Sequence, residues 1–291
     1  MLQRWIDHEA RAARLKVAVA GSSQRMMQGF VLSGEAPLFV LDPLAPLHRE
    51  PDRLLLEEIP SALETRPLLD AIGAGAHRVS EIAGRLGRPA TSMARPLDRL
   101  IGLGLVRREL PFGENEKNSR RSLYKIADPF FRLWFRVVAP YRAQLASGTP
   151  AARRQLLARF WDNLCAQSWE ELCRHQVTRL PAEKSLGQLG PWGMASRWWH
   201  GVQPEWDLVS DSLDGRRVLL GEVKWSARPF DRRALEPALY DLSTRPIPPL
   251  PPRLAGAELI RALFVPAIAS RRSAVKVPEG LMLITAEDLL E

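Results

Sequence analysis

The sequence contains only two cysteines, Cys165 and Cys173, and both fall in one predicted helix. Their spacing corresponds to about 12 Å along a helix axis, which is too far for a disulfide. Because they also lack metal-ligand spacing, we interpret them as buried free thiols, typical of a reducing cytosol.

Long apolar runs and targeting signals are absent as well. No run approaches the ~20 residues of a membrane span, and the N-terminus has no signal-peptide core. The Gly-x-x-x-x-Gly-Lys-Ser/Thr loop that cradles nucleotide phosphates is also missing. We therefore expect a soluble cytoplasmic protein with no membrane partner.

Positive charge is in excess and is concentrated in one part of the chain. There are 41 Lys and Arg residues against 33 Asp and Glu, a formal net charge of +8. Residues 66–126 alone carry 12 Lys and Arg against 6 Asp and Glu. Such an excess suits a polyanionic partner.

Residues 79–101 show the pattern of two short helices joined by a turn. Ser80 is placed to cap the first helix and Gly87 to end it, as in a helix-turn-helix. The second helix buries its apolar residues, and we predict that its opposite side enters a DNA major groove. That side presents Ser92, Arg95 and Arg99.

Two apolar runs, 105–110 and 122–126, flank a polar tip at 113–121. A helix-turn-helix followed by two strands predicts a winged helix. The basic side chains of the tip are Lys117, Arg120 and Arg121, and they would contact DNA phosphates. A winged helix used for protein–protein contact is the alternative.

A second hairpin is predicted around an Asp-Gly pair at 214–215, which suits a two-residue type I′ turn. That turn places Asp207 opposite Glu222 and Glu205 opposite Lys224, with all four side chains on one face. Like charges directly opposed on neighbouring strands are destabilising, so the two facing carboxylates need a reason.

A divalent cation held by Asp207 and Glu222 is one such reason, because Mg²⁺ prefers carboxylate oxygens and water. Lys224 would then position or deprotonate the attacking water and offset phosphate charge. The alternative is a surface hairpin in which Lys224 bridges Glu205 or Glu222.

The periodicity of the remaining sequence predicts α/β architecture. An apolar strand at 16–20 reads as a fragment of a larger sheet, and a break at 147–150 marks a domain boundary. Beyond the break, one long helix, three strands, a helix and two further strands predict a mixed sheet with helices on its faces.

Several short motifs of one family are spread along the chain. They are Gly21-Ser22-Ser23, Leu103-Gly104-Leu105-Val106, Ile126-Ala127-Asp128-Pro129-Phe130, Leu133-Trp134-Phe135, Trp198-Trp199, Glu205-Trp206-Asp207 and Gly221-Glu222-Val223-Lys224-Trp225. Together they resemble the archaeal-type, AAA- and STAND-related ATPases. In that family an ATPase domain precedes a winged helix and a PD-(D/E)xK nuclease-like domain.

The resemblance implies three domains: an α/β ATPase remnant over 1–52, a winged-helix DNA-binding domain over 53–146, and a PD-(D/E)xK-like mixed sheet over 150–291. The family's acidic residue on the first helix of the last domain follows an aromatic. Trp169-Glu170 fits that place, so Glu170 joins Asp207, Glu222 and Lys224 as an expected catalytic residue.

The sequence also departs from the family. Both phosphate- and magnesium-binding motifs of the ATPase domain are missing, and Phe39 follows Leu38 where the family usually has an arginine. We therefore expect no ATP hydrolysis, and expect the chain to begin after those motifs. A separate nucleotide-binding subunit would supply the missing half, and a homo-oligomer is the other expected assembly.

Two main hypotheses result. In the first, the protein binds DNA and cleaves it with Mg²⁺ or Mn²⁺ held by Asp207, Glu222 and the Val223 carbonyl, assisted by Glu170 through water. In the second, the protein is a non-catalytic DNA-binding or regulatory module, and the same side chains are tied up in salt bridges. A third hypothesis is an ATPase remnant that acts only with a nucleotide-binding partner.

Overall fold

The computed structural model describes residues 40–58, 62–115, 121–269 and 275–290. The predicted strand at 16–20, Lys117 and Arg120 lie outside these residues. Within them, the predicted mixed α/β architecture is confirmed, with nine α-helices, a two-stranded antiparallel sheet and a five-stranded mixed sheet. In this described part of the chain no helix is long and apolar enough to cross a membrane.

The first part of the described chain is helical and ends in the small sheet. Its elements are α1 (Pro46–Glu58), α2 (Ala62–Gly73), α3 (Val79–Leu86), a 3₁₀ turn (Ala90–Met93), α4 (Ala94–Gly102), β1 (Val106–Glu109) and β2 (Leu123–Ile126). The buried faces of these helices form one apolar cluster, in which Ile82, Met93, Leu97 and Leu100 are almost fully buried.

Helix α3 begins one residue before the predicted cap. The carboxylate of Glu81 accepts hydrogen bonds from the backbone N–H groups of His77 (2.8 Å) and Arg78 (3.0 Å). These bonds satisfy donors at the helix start, so Ser80 lies inside the first turn and the predicted Ser80 cap was wrong. Gly87 ends the helix at φ 61°, as expected for a C-terminal glycine.

An aromatic segment and a long helix connect the two sheets. The elements are α5 (Pro129–Leu133), a π-helical turn (Trp134–Val138), α6 (Arg142–Ser147) and α7 (Pro150–Val177). Leu156 and Leu164 of α7 pack in the N-terminal cluster, whereas Trp169 and Leu172 pack beneath the five-stranded sheet. Helix α7 therefore crosses from one core to the other.

The larger sheet has the strand order β3-β4-β5-β6-β7. Its elements are β3 (Ser196–Trp198), β4 (Trp206–Asp211), β5 (Arg217–Val223), α8 (Arg232–Thr244), β6 (Glu258–Phe264), β7 (Leu281–Ile284) and α9 (Ala286–Leu290). Strands β3 to β5 are antiparallel, and β5 to β7 are parallel.

Apolar clusters lie on both faces of this sheet. Leu219 packs with Trp169 of α7 on one face, and Leu220 packs with Leu235 of α8 on the other. Burial on both faces explains why the central strand reads as a nearly continuous apolar run.

Candidate acidic site at the end of the central hairpin

The β4–β5 hairpin has the predicted register, although its turn is longer than predicted. The Gly215 N–H donates to the Ser212 carbonyl (2.8 Å), and Ser212 N–H donates to the Arg217 carbonyl (3.0 Å). The loop therefore gains one residue on each side of the Asp-Gly pair, which leaves the register unchanged. The ladder extends to Leu208 opposite Gly221.

Asp207 and Glu222 are the next residues beyond that last pair. The β3–β4 register shifts between Ser196–Val209 and Trp198–Trp206, so β4 carries an extra residue in the segment that contains Asp207. Bulges of this kind re-aim side chains and occur often beside active sites.

Asp207 is a largely buried carboxyl group. Its Oδ2 accepts a hydrogen bond from the backbone N–H of Val223 (3.0 Å). Burial raises the pKa of Asp207 to about 7, and the neighbouring carboxylates of Glu222 and Glu170 add to this rise. The three predicted acidic residues are thus close enough for their charges to interact.

Glu222 is buried and is held by two cations. Lys224 Nζ lies 2.7 Å from Glu222 Oε1, and Arg245 Nη1 donates to Oε2. Burial alone would raise the pKa of Glu222, but the hydrogen bonds from Arg245 and Lys224 outweigh it and hold the pKa below its usual value.

Lys224 therefore forms an ion pair with Glu222, which is one of the two pairings that the sequence left open. The other alternative, a bridge from Lys224 to Glu205, is not the one found, because Glu205 Oε2 accepts from Arg197 Nη2 at 2.8 Å. Arg197 comes from β3, on the opposite side of β4 from β5.

Arg245 is a site residue that the sequence did not reveal. It follows α8, donates to the Glu205 carbonyl (2.9 Å) and lies 5.2 Å from the centre of the Trp206 ring. Nothing local marks it, because it reaches Glu222 only through the packing of α8 on the sheet.

Glu170 reaches the site from α7. Arg174 Nη1 lies 3.5 Å from Glu170 Oε2 and donates to the Asp207 carbonyl (2.8 Å). The next residue, Glu171, is directed away and accepts from Arg132 and Arg107 in a separate buried ion network. Of the two adjacent glutamates, Glu170 is thus the one beside Asp207.

The residues predicted to contact DNA are placed differently from one another. Ser92, Arg95 and Arg99 are exposed on the 3₁₀ turn and α4. Arg121, by contrast, pairs with Glu114 and donates to the Trp199 carbonyl (3.2 Å). Its role as a phosphate contact stays a prediction.

The donor set suits a cation that takes few protein ligands and completes its coordination with water. Among the described residues, no group of three or more His, Cys, Asp or Glu side chains is arranged to hold a metal. The carboxylates of Glu222 and Glu170 nevertheless raise the pKa of Asp207. A divalent cation bound there would offset this repulsion between negative charges. Asp207 and Glu222 would be its ligands.

These features define a mixed α/β protein with an acidic site beside its central hairpin. Residues 134–235 match a family described as archaea bacterial proteins of unknown function, DUF234. This match is compatible with the ATPase-associated resemblance.

An uncharacterized protein of Methanocaldococcus jannaschii is 27% identical over 185 residues, which cover 62% of this chain and 39% of that protein. The chain therefore spans about two fifths of the length of this relative. The crystal structure of RV1404 from Mycobacterium tuberculosis shares 20% identity over 50% of this chain and 96% of that one. Its TM-score of 0.25 is too low to establish a shared fold.

Proposed function

We propose that this protein binds DNA and hydrolyses a phosphodiester bond with the help of Mg²⁺ or Mn²⁺ at Asp207 and Glu222. The observation that carries the proposal is the buried Asp207 carboxyl, whose pKa is raised to about 7 by burial and by the carboxylates of Glu222 and Glu170. Perturbed carboxyls of this kind concentrate at functional sites.

The protein's own groups have distinct roles in this proposal. The Val223 N–H fixes the orientation of Asp207 through its 3.0 Å hydrogen bond. Lys224, at 2.7 Å from Glu222, is half-exposed and offers positive charge to an approaching phosphate. Glu170 would accept a proton through a bridging water. A bound divalent cation would polarise the phosphodiester and lower the pKa of water.

The same proposal assigns a PD-(D/E)xK-like fold to residues 150–291 and a winged helix to residues 53–146. Supporting the first is the order of α7, three antiparallel strands, α8 and two parallel strands. Supporting the second are α3, the turn and α4, followed by β1 and β2. Arg95 and Arg99 would enter the major groove, and Ser92 lies beside them.

Plasmid nicking tests the catalytic part of the proposal. Wild-type protein with Mg²⁺ is expected to convert supercoiled plasmid to the open circle, and Asp207→Asn is expected to abolish conversion. Glu205→Gln, which alters an exposed carboxylate nearby, is the matched control. Equal nicking by wild type and Asp207→Asn would exclude this site.

DNA binding is tested separately by fluorescence anisotropy in EDTA at several salt concentrations. Arg95→Gln and Arg99→Gln are each expected to weaken DNA binding and to reduce the salt slope, by about one for each phosphate contact that is lost. Arg154→Gln, an exposed arginine of α7, should leave the slope unchanged.

A non-catalytic DNA-binding module is the second candidate. It is favoured by the two cations on Glu222, since Lys224 and Arg245 already neutralise one of the expected ligands. This candidate predicts the same loss of DNA affinity in the arginine variants and no nicking by any form of the protein. A nucleotide-binding partner subunit would be compatible with either candidate.

A further inference from the structure

A second candidate site lies between the small sheet and the C-terminal half of α7. It is a cavity of about 420 Å³ bounded by β1 and its following loop, by α7 and by the approach to β3. Four arginines line it, and His175 stands at its edge with an exposed side chain. The arginines are Arg107, Arg108, Arg174 and Arg197.

The carboxylates of this cavity are already bound by cations. Glu109 pairs with Arg107 (2.9 Å) and Lys125 (3.0 Å), and Glu171 pairs with Arg107 and Arg132 (2.8 Å). Glu109 and Glu171 thus share three cations, Arg107, Lys125 and Arg132, which leaves an excess of one positive charge. Glu114, the third acidic residue of the lining, pairs with Arg121. Burial lowers the pKa of His175, and repulsion from Arg107 lowers it further, in keeping with that excess.

One donor in the wall has no acceptor. Arg197 gives its Nη2 to Glu205 (2.8 Å), whereas its Nε–H is buried and has no hydrogen-bond partner among the described residues. An unsatisfied buried donor costs roughly 1–3 kcal/mol unless an acceptor is supplied. An anionic oxygen that reached this nitrogen would supply one.

Part of the cavity lining is apolar. It consists of Leu110, Pro111, Phe112, Met194 and Ala195. Met194 is 82% exposed, so its side chain is available to cover a ligand. A cavity of this size, with cationic and apolar lining residues, suits a phosphate joined to a planar or apolar group.

We propose that this cavity binds a nucleotide, with its phosphate against Arg197, Arg174 and His175 and its nucleoside against the apolar part of the lining, at Leu110 and Met194. This goes beyond the proposed nuclease function, because it requires neither a divalent cation nor cleavage. The phosphate comes either from the end of a nucleic-acid strand or from a free nucleotide.

Calorimetric titration with AMP and with adenosine, in EDTA and low salt at pH 7, tests the proposal. AMP is expected to bind at least about tenfold more tightly than adenosine, because charge-assisted hydrogen bonds to phosphate are lost with the phosphate. Arg197→Gln should weaken AMP binding about tenfold or more, and His175→Gln by about threefold. Arg154→Gln removes the same charge at the far end of α7 and should bind AMP as the wild type does.

Competition distinguishes the two sources of phosphate. Displacement of AMP by a 5′-phosphorylated oligonucleotide, and not by its 5′-hydroxyl counterpart, identifies a strand end; failure of both identifies a free nucleotide. Absence of AMP binding, or equal affinity for AMP and adenosine, would overturn the proposal. If circular dichroism shows that Arg197→Gln does not fold, the exposed His175→Gln variant provides the test. Wild-type affinity for AMP in that variant would overturn the proposal. Loss of nicking in Asp207→Asn has no bearing on these outcomes.

Discussion

Replacing Asp207 with asparagine is expected to make the metal-free protein more stable at pH 8 and to change little at pH 4. The physical reason is that ionised Asp207 is buried beside the carboxylates of Glu222 and Glu170. Burial and this repulsion raise the pKa of Asp207 from 3.8 to about 7. Asparagine keeps an oxygen to accept the Val223 N–H and carries no charge.

The sign follows from proton linkage. A carboxyl whose pKa is higher in the folded than in the unfolded state binds more protons when folded. Its contribution to stability is therefore complete below the unfolded pKa of 3.8 and is lost as pH rises through about 7. At about 1.36 kcal/mol per pKa unit, the cost at pH 8 is roughly 4 kcal/mol.

Urea unfolding in EDTA between pH 4 and pH 8 measures this cost. The free energy of unfolding of Asp207→Asn minus that of wild type should grow from pH 4 to about pH 7 and then level off. Asp162→Asn, at an exposed position of α7, is the matched control for the removal of a carboxylate charge. A difference for Asp207→Asn that does not change with pH would refute the assignment of a buried, repelled carboxyl.

Three further substitutions test the surroundings of the site. Arg245→Gln removes a hydrogen-bond donor that lowers the pKa of Glu222, so urea unfolding should show a loss of about 1–3 kcal/mol of stability at pH 7. The loss should shrink as the pH falls below 4.5, where protonation of Glu222 also removes this contribution from wild type. Glu171→Gln removes the carboxylate that pairs with the buried Arg132, whereas Arg107 keeps Glu109; it should cost about 3–5 kcal/mol in the same measurement. Gly221→Ala places a Cβ 2.8 Å from the Phe264 ring and should lower stability by about 1–3 kcal/mol in thermal unfolding.

Exposed positions supply the controls for these variants. Glu236→Gln disturbs a surface pair with Arg232 on α8 and should cost less than about 1 kcal/mol. The control for Gly221→Ala is Gly84→Ala, because no atom lies within 4 Å of the added Cβ. Gly256→Ala is not a suitable control, because Gly256 has φ 80° and any side chain there is strained. Equal effects of a test variant and its control would contradict the corresponding assignment.

The helices and strands were predictable because their apolar periodicity is strong. The long helix after the break at 147–150, and the order of three strands, a helix and two strands beyond it, were predicted and agree with α7, β3 to β5, α8, β6 and β7. The register of the central hairpin was also predicted, since a turn extended equally on both sides keeps the same pairs. Residue propensities and the spacing of apolar residues are sufficient to predict features that lie within one short segment of the chain.

Contacts between distant segments were not predictable in the same way. Arg245 reaches Glu222, and Arg107 reaches Glu171, only because separate elements pack together. The bulge in β4 and the pairing of Glu205 with Arg197 likewise depend on the neighbouring strand β3. A single sequence carries no local pattern for such pairs.

Calorimetric titration of Mn²⁺ into the wild-type protein and Asp207→Asn tests the central claim most directly. Glu205→Gln serves as the control, and the pH is held at 8 so that Asp207 is ionised. We expect one Mn²⁺-binding event in wild type and in Glu205→Gln, and no Mn²⁺ binding in Asp207→Asn. Absence of Mn²⁺ binding in the wild-type protein, or identical isotherms for wild type and Asp207→Asn, would contradict it.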